Sequence, residues 1–196
     1  MSSNARILSA ISVGVLLVAL GLIGFVNLAS HRIGSIGADY EVPPLTQAST
    51  VAAGKIAADF KLRYLRGDEV SLAALRGKVV FLNVWATWCA PCREEMPSIE
   101  SLYRDFKTDK DFVVLAVSQD TDGAAVPRFV KQNNLQFTVL LDPRNEVGER
   151  YDVNGIPETF IIGRDGRIVA HHVGPYDWSN TDIREALQEL IKSRQG

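Results

Sequence analysis

The sequence predicts an α/β fold: a mixed central sheet with helices on both faces, preceded by a single N-terminal transmembrane helix. Three observations carry this. From Lys55 onward, strand and helix patterns alternate along the chain, as in sheets covered by helices. Two runs, Lys78–Trp85 and Phe112–Ser118, are almost continuously apolar, the pattern of strands buried on both faces. The 24 residues from Ile7 to Ser30 carry no formal charge and are rich in Leu, Ile, Val and Ala.

That N-terminal run is long enough to cross a bilayer, whose hydrocarbon core is about 30 Å thick and is covered at about 1.5 Å per helical residue. Arg6 and the terminal amine precede it, which favours a cytoplasmic N-terminus. A cleaved signal peptide is the competing reading, with Ile7–Val18 as its apolar region and Ala19-Leu20-Gly21 as its cleavage site. The apolar run continues through Leu22, Ile23, Phe25 and Val26, which favours an uncleaved anchor over residues 1–30. Residues 31–54 are rich in Gly, Ser, Ala, Thr and Pro without an apolar period, and read as a flexible tether. Residues 55–196 provide 142 positions, enough for one sizeable core.

Within that domain, Phe60–Leu65 and Glu69–Ser71 flank Arg66-Gly67-Asp68 and read as a hairpin. Lys78–Trp85 follows as a central strand. Cys89–Lys107 carries Met96, Ile99, Leu102, Tyr103 and Phe106 at spacings of three and four, an amphipathic helix. Phe112–Ser118 is a second buried strand, Val126–Gln132 a helix, Phe137–Leu141 an extended segment and Asn145–Tyr151 a short helix. Glu158–Ile162 and Arg167–His172 bracket Arg164-Asp165-Gly166 as a second hairpin. Ser179–Asp182 can cap a last helix carrying Ile183, Leu187, Leu190 and Ile191.

Composition narrows the function. The chain is 46% hydrophobic, which excludes full disorder, and its net charge of −2 gives no electrostatic case for nucleic acid. Two cysteines cannot build a disulfide-dense scaffold. Their placement is what matters: Cys89-Ala90-Pro91-Cys92 lies between a buried strand and a helix start. Unpaired N–H groups and the helix dipole stabilise a thiolate there, and the thiolate is the form that attacks disulfides. Cys89, on the outer end, is the expected attacking sulfur, and Cys92, one turn inside, the expected resolving sulfur. Pro91 suits a first helical turn, where its missing N–H has no partner to lose, whereas Pro97 should bend the helix.

Blander readings compete. A structural disulfide across so short a loop removes little entropy from the unfolded chain. A zinc site needs two further ligands, and of His31, His171 and His172 the last two should point to opposite faces of a strand. Inert thiols require burial, whereas Cys89 is expected to be poorly buried. Glu95, three residues after Cys92, can return toward the cysteines on the next turn, or can be a solvated glutamate paired with Arg93 or Lys107. Trp85 reads as core and Trp88 as an exposed, flat apolar surface for partners. Glu158 reads either as a substrate contact or as an exposed charge at a strand edge. No catalytic need for His171 or His172 is evident.

Asn83-Val84-Trp85-Ala86-Thr87-Trp88-Cys89-Ala90-Pro91-Cys92-Arg93-Glu94-Glu95-Met96-Pro97, together with Gly155-Ile156-Pro157-Glu158-Thr159-Phe160, resembles the TlpA/ResA/CcmG family of membrane-anchored, thioredoxin-like thiol–disulfide oxidoreductases. The resemblance spans roughly residues 55–175. It implies a thioredoxin-like fold with an inserted unit, here Gly123–Leu141, and no cofactor beyond a redox-active Cys89–Cys92 disulfide. It implies Cys89 as nucleophile, Cys92 as resolving cysteine, and a cis Pro157 beside them, where Ile156 presents backbone to a substrate strand. By the same resemblance Glu95 tunes cysteine acidity or moves protons, and Trp88 and Pro91 border the substrate. Asn83 departs from the buried Asp that many cytosolic thioredoxins resemble each other in carrying.

The resemblance further implies an extracytoplasmic domain on a bacterial cytoplasmic membrane that reduces disulfides of envelope proteins. Expected partners are those proteins, the lipid bilayer and a membrane electron donor of the DsbD/CcdA kind. Apocytochromes c and cytochrome oxidase copper-site proteins are the implied targets. Peroxiredoxins resemble the same fold, but their threonine lies three residues before the reactive cysteine, where this chain has Ala86; Thr87 is out of register. A copper- or haem-handling chaperone binding through Cys89 and Cys92, and a disulfide-forming oxidant, are the alternatives.

Overall fold

The computed structural model describes residues 54–193. The expected membrane anchor and nearly all of the expected tether lie outside the described residues. Among the described residues no helix is long and apolar enough to cross a membrane.

Strands β1 (Lys61–Tyr64) and β2 (Glu69–Ser71) form the first hairpin, followed by a short 3-10 turn over Leu72–Leu75. Then come β3 (Val79–Trp85), α1 (Ala90–Phe106), β4 (Phe112–Ser118), α2 (Ala125–Gln132) and β5 (Thr138–Leu141). The chain continues through α3 (Glu146–Arg150), β6 (Glu158–Ile162), β7 (Ile168–Val173) and α4 (Thr181–Lys192). Seven strands make one mixed sheet in the order β2-β1-β5-β4-β3-β6-β7. β3, β4 and β5 are mutually parallel, and the remaining pairings are antiparallel.

The elements fall where the sequence pattern places them, within a residue or two at their ends. The inserted α2–β5 unit does more than extend the edge. β5 pairs with β4 on one side and with β1 on the other, so it joins the N-terminal hairpin to the main sheet. Hydrophobic alternation could not reveal this, because β1 has too few residues to specify a partner beyond its own hairpin.

β3 is buried over its whole length. Because side chains alternate across a strand, Val80, Leu82 and Val84 enter a cluster with Leu115, Val117, Leu140 and Phe160. Phe81, Asn83 and Trp85 therefore share the opposite face. There Phe81 meets Trp178 edge-on with centroids 4.8 Å apart, and Trp85 meets Phe129 at 5.2 Å. Each such apolar side chain contributes about 1.5–3 kcal/mol on burial. α1 packs through Met96, Ile99, Leu102 and Phe106, all buried, and continues past Pro97 to Phe106. α4 begins at the cap Asn180, whose side chain accepts the Asp182 N–H at 2.8 Å, and buries Ile183, Leu187 and Ile191.

Candidate active site

β3 ends at Trp85 and delivers the chain into the turn that carries both cysteines. Asp120, just past β4, fixes that turn: it accepts the Thr87 N–H at 2.9 Å and the Thr87 hydroxyl at 2.5 Å. It also accepts the Ser118 hydroxyl at 2.7 Å. Thr87 is thus committed to Asp120. Trp88, next in the chain, is 67% exposed.

Cys89 is the N-cap of α1, and its sulfur accepts the Cys92 N–H at 3.2 Å. This is the place where orphan N–H groups and the helix dipole favour negative charge. Pro91 sits in the first turn. Cys89 and Cys92 are joined as a disulfide, with S–S 2.02 Å and Cα–Cα 5.3 Å. Cys92 is wholly buried. Cys89 is 6% exposed, less open than the sequence led us to expect. The reason is the packing around its sulfur, which touches Cys92 on one side and lies 3.6 Å from the Ile156 carbonyl oxygen on the other.

Ile156 belongs to the loop leading into β6, and its peptide bond to the buried Pro157 is cis. The loop is held from behind by Glu158. One carboxylate oxygen of Glu158 accepts the Asn154 N–H at 3.3 Å and the other lies 2.8 Å from His171 Nε2. Glu158 is only 3% exposed, so neither sequence reading of it holds. β6 is an interior strand between β3 and β7, so its residues face packed layers and not an edge. His171 stacks flat on Phe160 at 4.2 Å, while His172 contacts Tyr176 and Trp178. Burial holds the His172 imidazole below its ordinary value, and the neighbouring His171 adds to that against a backbone hydrogen bond to Pro175.

Glu95 is 3% exposed, which removes the solvated-pair reading. Its Oε1 accepts the Asn83 amide at 2.8 Å, and its Oε2 accepts Trp178 Nε1–H and the Tyr176 N–H, each at 3.3 Å. Burial pushes its carboxyl up to about 7, against the hydrogen bonds from Asn83, Trp178 and Tyr176, which favour the charged form. Asn83 also donates to Thr159 Oγ1 at 3.0 Å, while its own Oδ1 is buried with no hydrogen bond. A half-turn of that amide would exchange donor for acceptor, so the pocket can serve both a carboxylate and a carboxylic acid.

A cleft of about 550 Å³ opens over the cysteines, lined by Trp88, Cys89, Ala90, Pro91, Gln119, Asn145, Val153, Asn154, Gly155 and Ile156. The structure thus gathers Trp88, Cys89, Pro91 and Ile156 at one opening. Cys92, Glu95 and Pro157 are buried. Sequence reasoning missed the Asn83, Tyr176 and Trp178 contacts to Glu95. Two bulky aromatics in the polar stretch after β7 were the available signal. It also missed Gln119 and Asn145, although Gln119 follows the carboxyl end of a parallel strand, where α/β sheets assemble their sites.

Comparison with known proteins agrees with this geometry. The AhpC/TSA family model matches residues 53–171. Thiol-disulfide oxidoreductase ResA of Bacillus thuringiensis subsp. konkukian is 32% identical over 178 residues, covering 91% of each chain. The crystal structure of a thiol:disulfide interchange protein DsbE from Chlorobium tepidum is similar with a TM-score of 0.60 and 35% identity. That match covers 71% of this chain and 94% of the other. A protein disulfide isomerase from Bacteroides thetaiotaomicron gives a TM-score of 0.65 at 29% identity, over 74% of this chain and 94% of that one. With its Cys-x-x-Cys pair at a helix start and no threonine three residues before Cys89, this chain belongs to the AhpC/TSA family as a thiol-disulfide oxidoreductase.

Proposed function

We propose that the protein reduces disulfides of cell-envelope proteins, with Cys89 as nucleophile and Cys92 as resolving cysteine. The observation that carries this reading is the asymmetry of the pair. Cys89 lines the cleft and caps the helix, whereas Cys92 is wholly buried behind it. The Cys89 thiolate attacks one sulfur of the substrate disulfide, forming a mixed disulfide and releasing the other sulfur as a thiolate. Cys92 then attacks the Cys89 sulfur, releases the second substrate thiolate and closes the Cys89–Cys92 bond. Two electrons pass to the substrate, and its two sulfurs take up the two protons that the cysteines give up. Glu95, one helical turn beyond Cys92 with a carboxyl near neutrality, accepts the Cys92 proton during resolution. Trp88, Pro91, Ile156 and Pro157 border the bound substrate strand.

The apolar run Ile7–Ser30 anchors the domain in a bacterial cytoplasmic membrane, facing outward. A membrane dithiol donor of the DsbD/CcdA kind returns two electrons and two protons to the spent disulfide. The targets are the haem-attachment thiols of apocytochromes c or the copper-site thiols of cytochrome oxidase. The names of the relatives support the reaction class, and the uncharged apolar run Ile7–Ser30 supports the compartment.

The decisive experiment is the midpoint potential of the Cys89–Cys92 couple, titrated against a thiol–disulfide buffer. A value near or below about −220 mV fits a reductase. A value near about −120 mV would make the protein a disulfide-forming oxidant. Cys92→Ala should trap the mixed disulfide with the target, and Cys89→Ser should trap nothing.

A further inference from the structure

The wall of the cleft carries an amide pair that the thiol chemistry leaves unused. Gln119 follows β4 and Asn145 precedes α3, and the Gln119 Nε2–H donates to Asn145 Oδ1. Both residues line the cleft that holds Cys89.

Three features indicate that this pair is built, and not an accident of two surface side chains. Asn145 occupies the helix N-cap position, where asparagine ordinarily accepts a backbone N–H. Here Asp142 takes over that duty, accepting the N–H groups of Glu146 and Val147 at 2.8 Å each, and Asn145 makes no capping bond. Asn145 also stands in the left-handed region, at φ 57°, which asparagine enters more readily than most residues with a side chain, so this position suits an amide. Finally, the pair rests directly on Gly148. A Cβ there would lie 2.0 Å from Asn145 Oδ1 and 2.6 Å from Gln119 Nε2. Two backbone choices and a displaced cap therefore converge on one hydrogen bond at the rim of the site.

That bond leaves Gln119 Oε1 as an acceptor and Asn145 Nδ2–H as a donor, both at the open rim of the cleft. One acceptor beside one donor is the complement of a peptide unit. The cleft lining as a whole includes no charged side chain. We propose that the Gln119–Asn145 pair is a bracket for substrate backbone, docking an extended, uncharged protein segment beside the disulfide to be reduced. This rests on the reductase reading above and names its substrate class: polypeptide with neutral flanks, in preference to small disulfides or charged ones.

The test uses the full chain in detergent and two substrates: a short cyclic-disulfide peptide with neutral flanks and hydroxyethyl disulfide, which has no amide. In Asn145→Gly and Gln119→Leu, the ratio of the peptide to the hydroxyethyl disulfide rate constant should fall about tenfold, equivalent to about 1.4 kcal/mol. The isosteric Gln119→Glu supplies a second measurement and carries the test if Gln119→Leu does not fold. It should raise the rate for a lysine-flanked peptide severalfold relative to the neutral one. An unchanged substrate ratio in both truncations, or an unchanged charge preference in Gln119→Glu, overturns the bracket while leaving the reductase reading intact. A wild-type protein that reduces neither substrate overturns both.

Discussion

Glu95→Gln isolates the energetic cost of the buried carboxyl. In the oxidised protein the Glu95 carboxyl rises from 4.5 to about 7, with burial as the main cause. The folded state therefore holds this proton more tightly than the unfolded chain does. Below pH 4.5 both states are protonated and the group costs nothing. As pH rises the unfolded chain releases its proton first, and stability falls until the folded group also ionises near pH 7. The full cost above that pH is about 3 kcal/mol, at about 1.4 kcal/mol per pH unit. Glutamine abolishes this slope. Its NH₂ replaces an acceptor that Asn83 or the pair Trp178 and Tyr176 now uses. At acid pH the variant should lie within about 1 kcal/mol of wild type, because a turned Asn83 amide accepts from that NH₂ as it does from the protonated carboxyl. The difference should move by about 3 kcal/mol in favour of the variant as pH rises past 7, because only the wild type pays for ionisation. Urea unfolding of both proteins, disulfide intact, across that range measures it directly. A difference between them that stays constant with pH would refute the placement of the titrating carboxyl at Glu95.

Other perturbations probe the frame around the site. Leu82→Ala, at a fully buried position of β3, should lower the urea midpoint by an amount equivalent to about 2–5 kcal/mol. Asp120→Ala removes the acceptor of three hydrogen bonds from Thr87 and Ser118. It should cost about 2 kcal/mol and alter the near-ultraviolet circular dichroism of the adjacent Trp88. His171→Phe can keep the flat contact with Phe160 but leaves Glu158 buried without its partner. An expected loss of about 3 kcal/mol in chemical denaturation should be partly recovered by adding Glu158→Gln, which still accepts the Asn154 N–H.

Local signals made most of this molecule legible before its structure. The double-sided apolar runs located β3 and β4, and the three-four spacing from Met96 to Phe106 located α1. The Cys89–Cys92 spacing located the chemistry, because strand, turn and helix are contiguous there. What escaped was joined across the sheet. Asn83 and Glu95 are twelve residues apart, but Trp178 reaches Glu95 from eighty-three residues away. No periodicity encodes such a contact. Glu158 was misjudged for a related reason. The hairpin β6–β7 is visible in sequence, but not that β6 sits beside β3 inside the sheet, where a carboxylate must find a partner such as His171. The dryness of Cys89 likewise depends on the Ile156 carbonyl, supplied by a loop sixty-seven residues further on.

The helix cap formed by Cys89 has a thermodynamic corollary. One sulfur both ends a covalent ring and accepts the Cys92 N–H that opens α1. Reduction replaces a neutral divalent sulfur by one able to carry charge, so the two oxidation states do not cap the helix equally well. Folding and redox poise then form a closed cycle: whatever steadies the dithiol form more than the disulfide form raises the potential by the same free energy. About 30 mV corresponds to about 1.4 kcal/mol in that cycle. A substitution anywhere in α1 that favours one form of its first turn will thus change how strongly the protein donates electrons, without touching either sulfur. The driving force of this enzyme therefore includes the difference in stability between two oxidation states of one fold, which exchange one S–S bond for two S–H bonds.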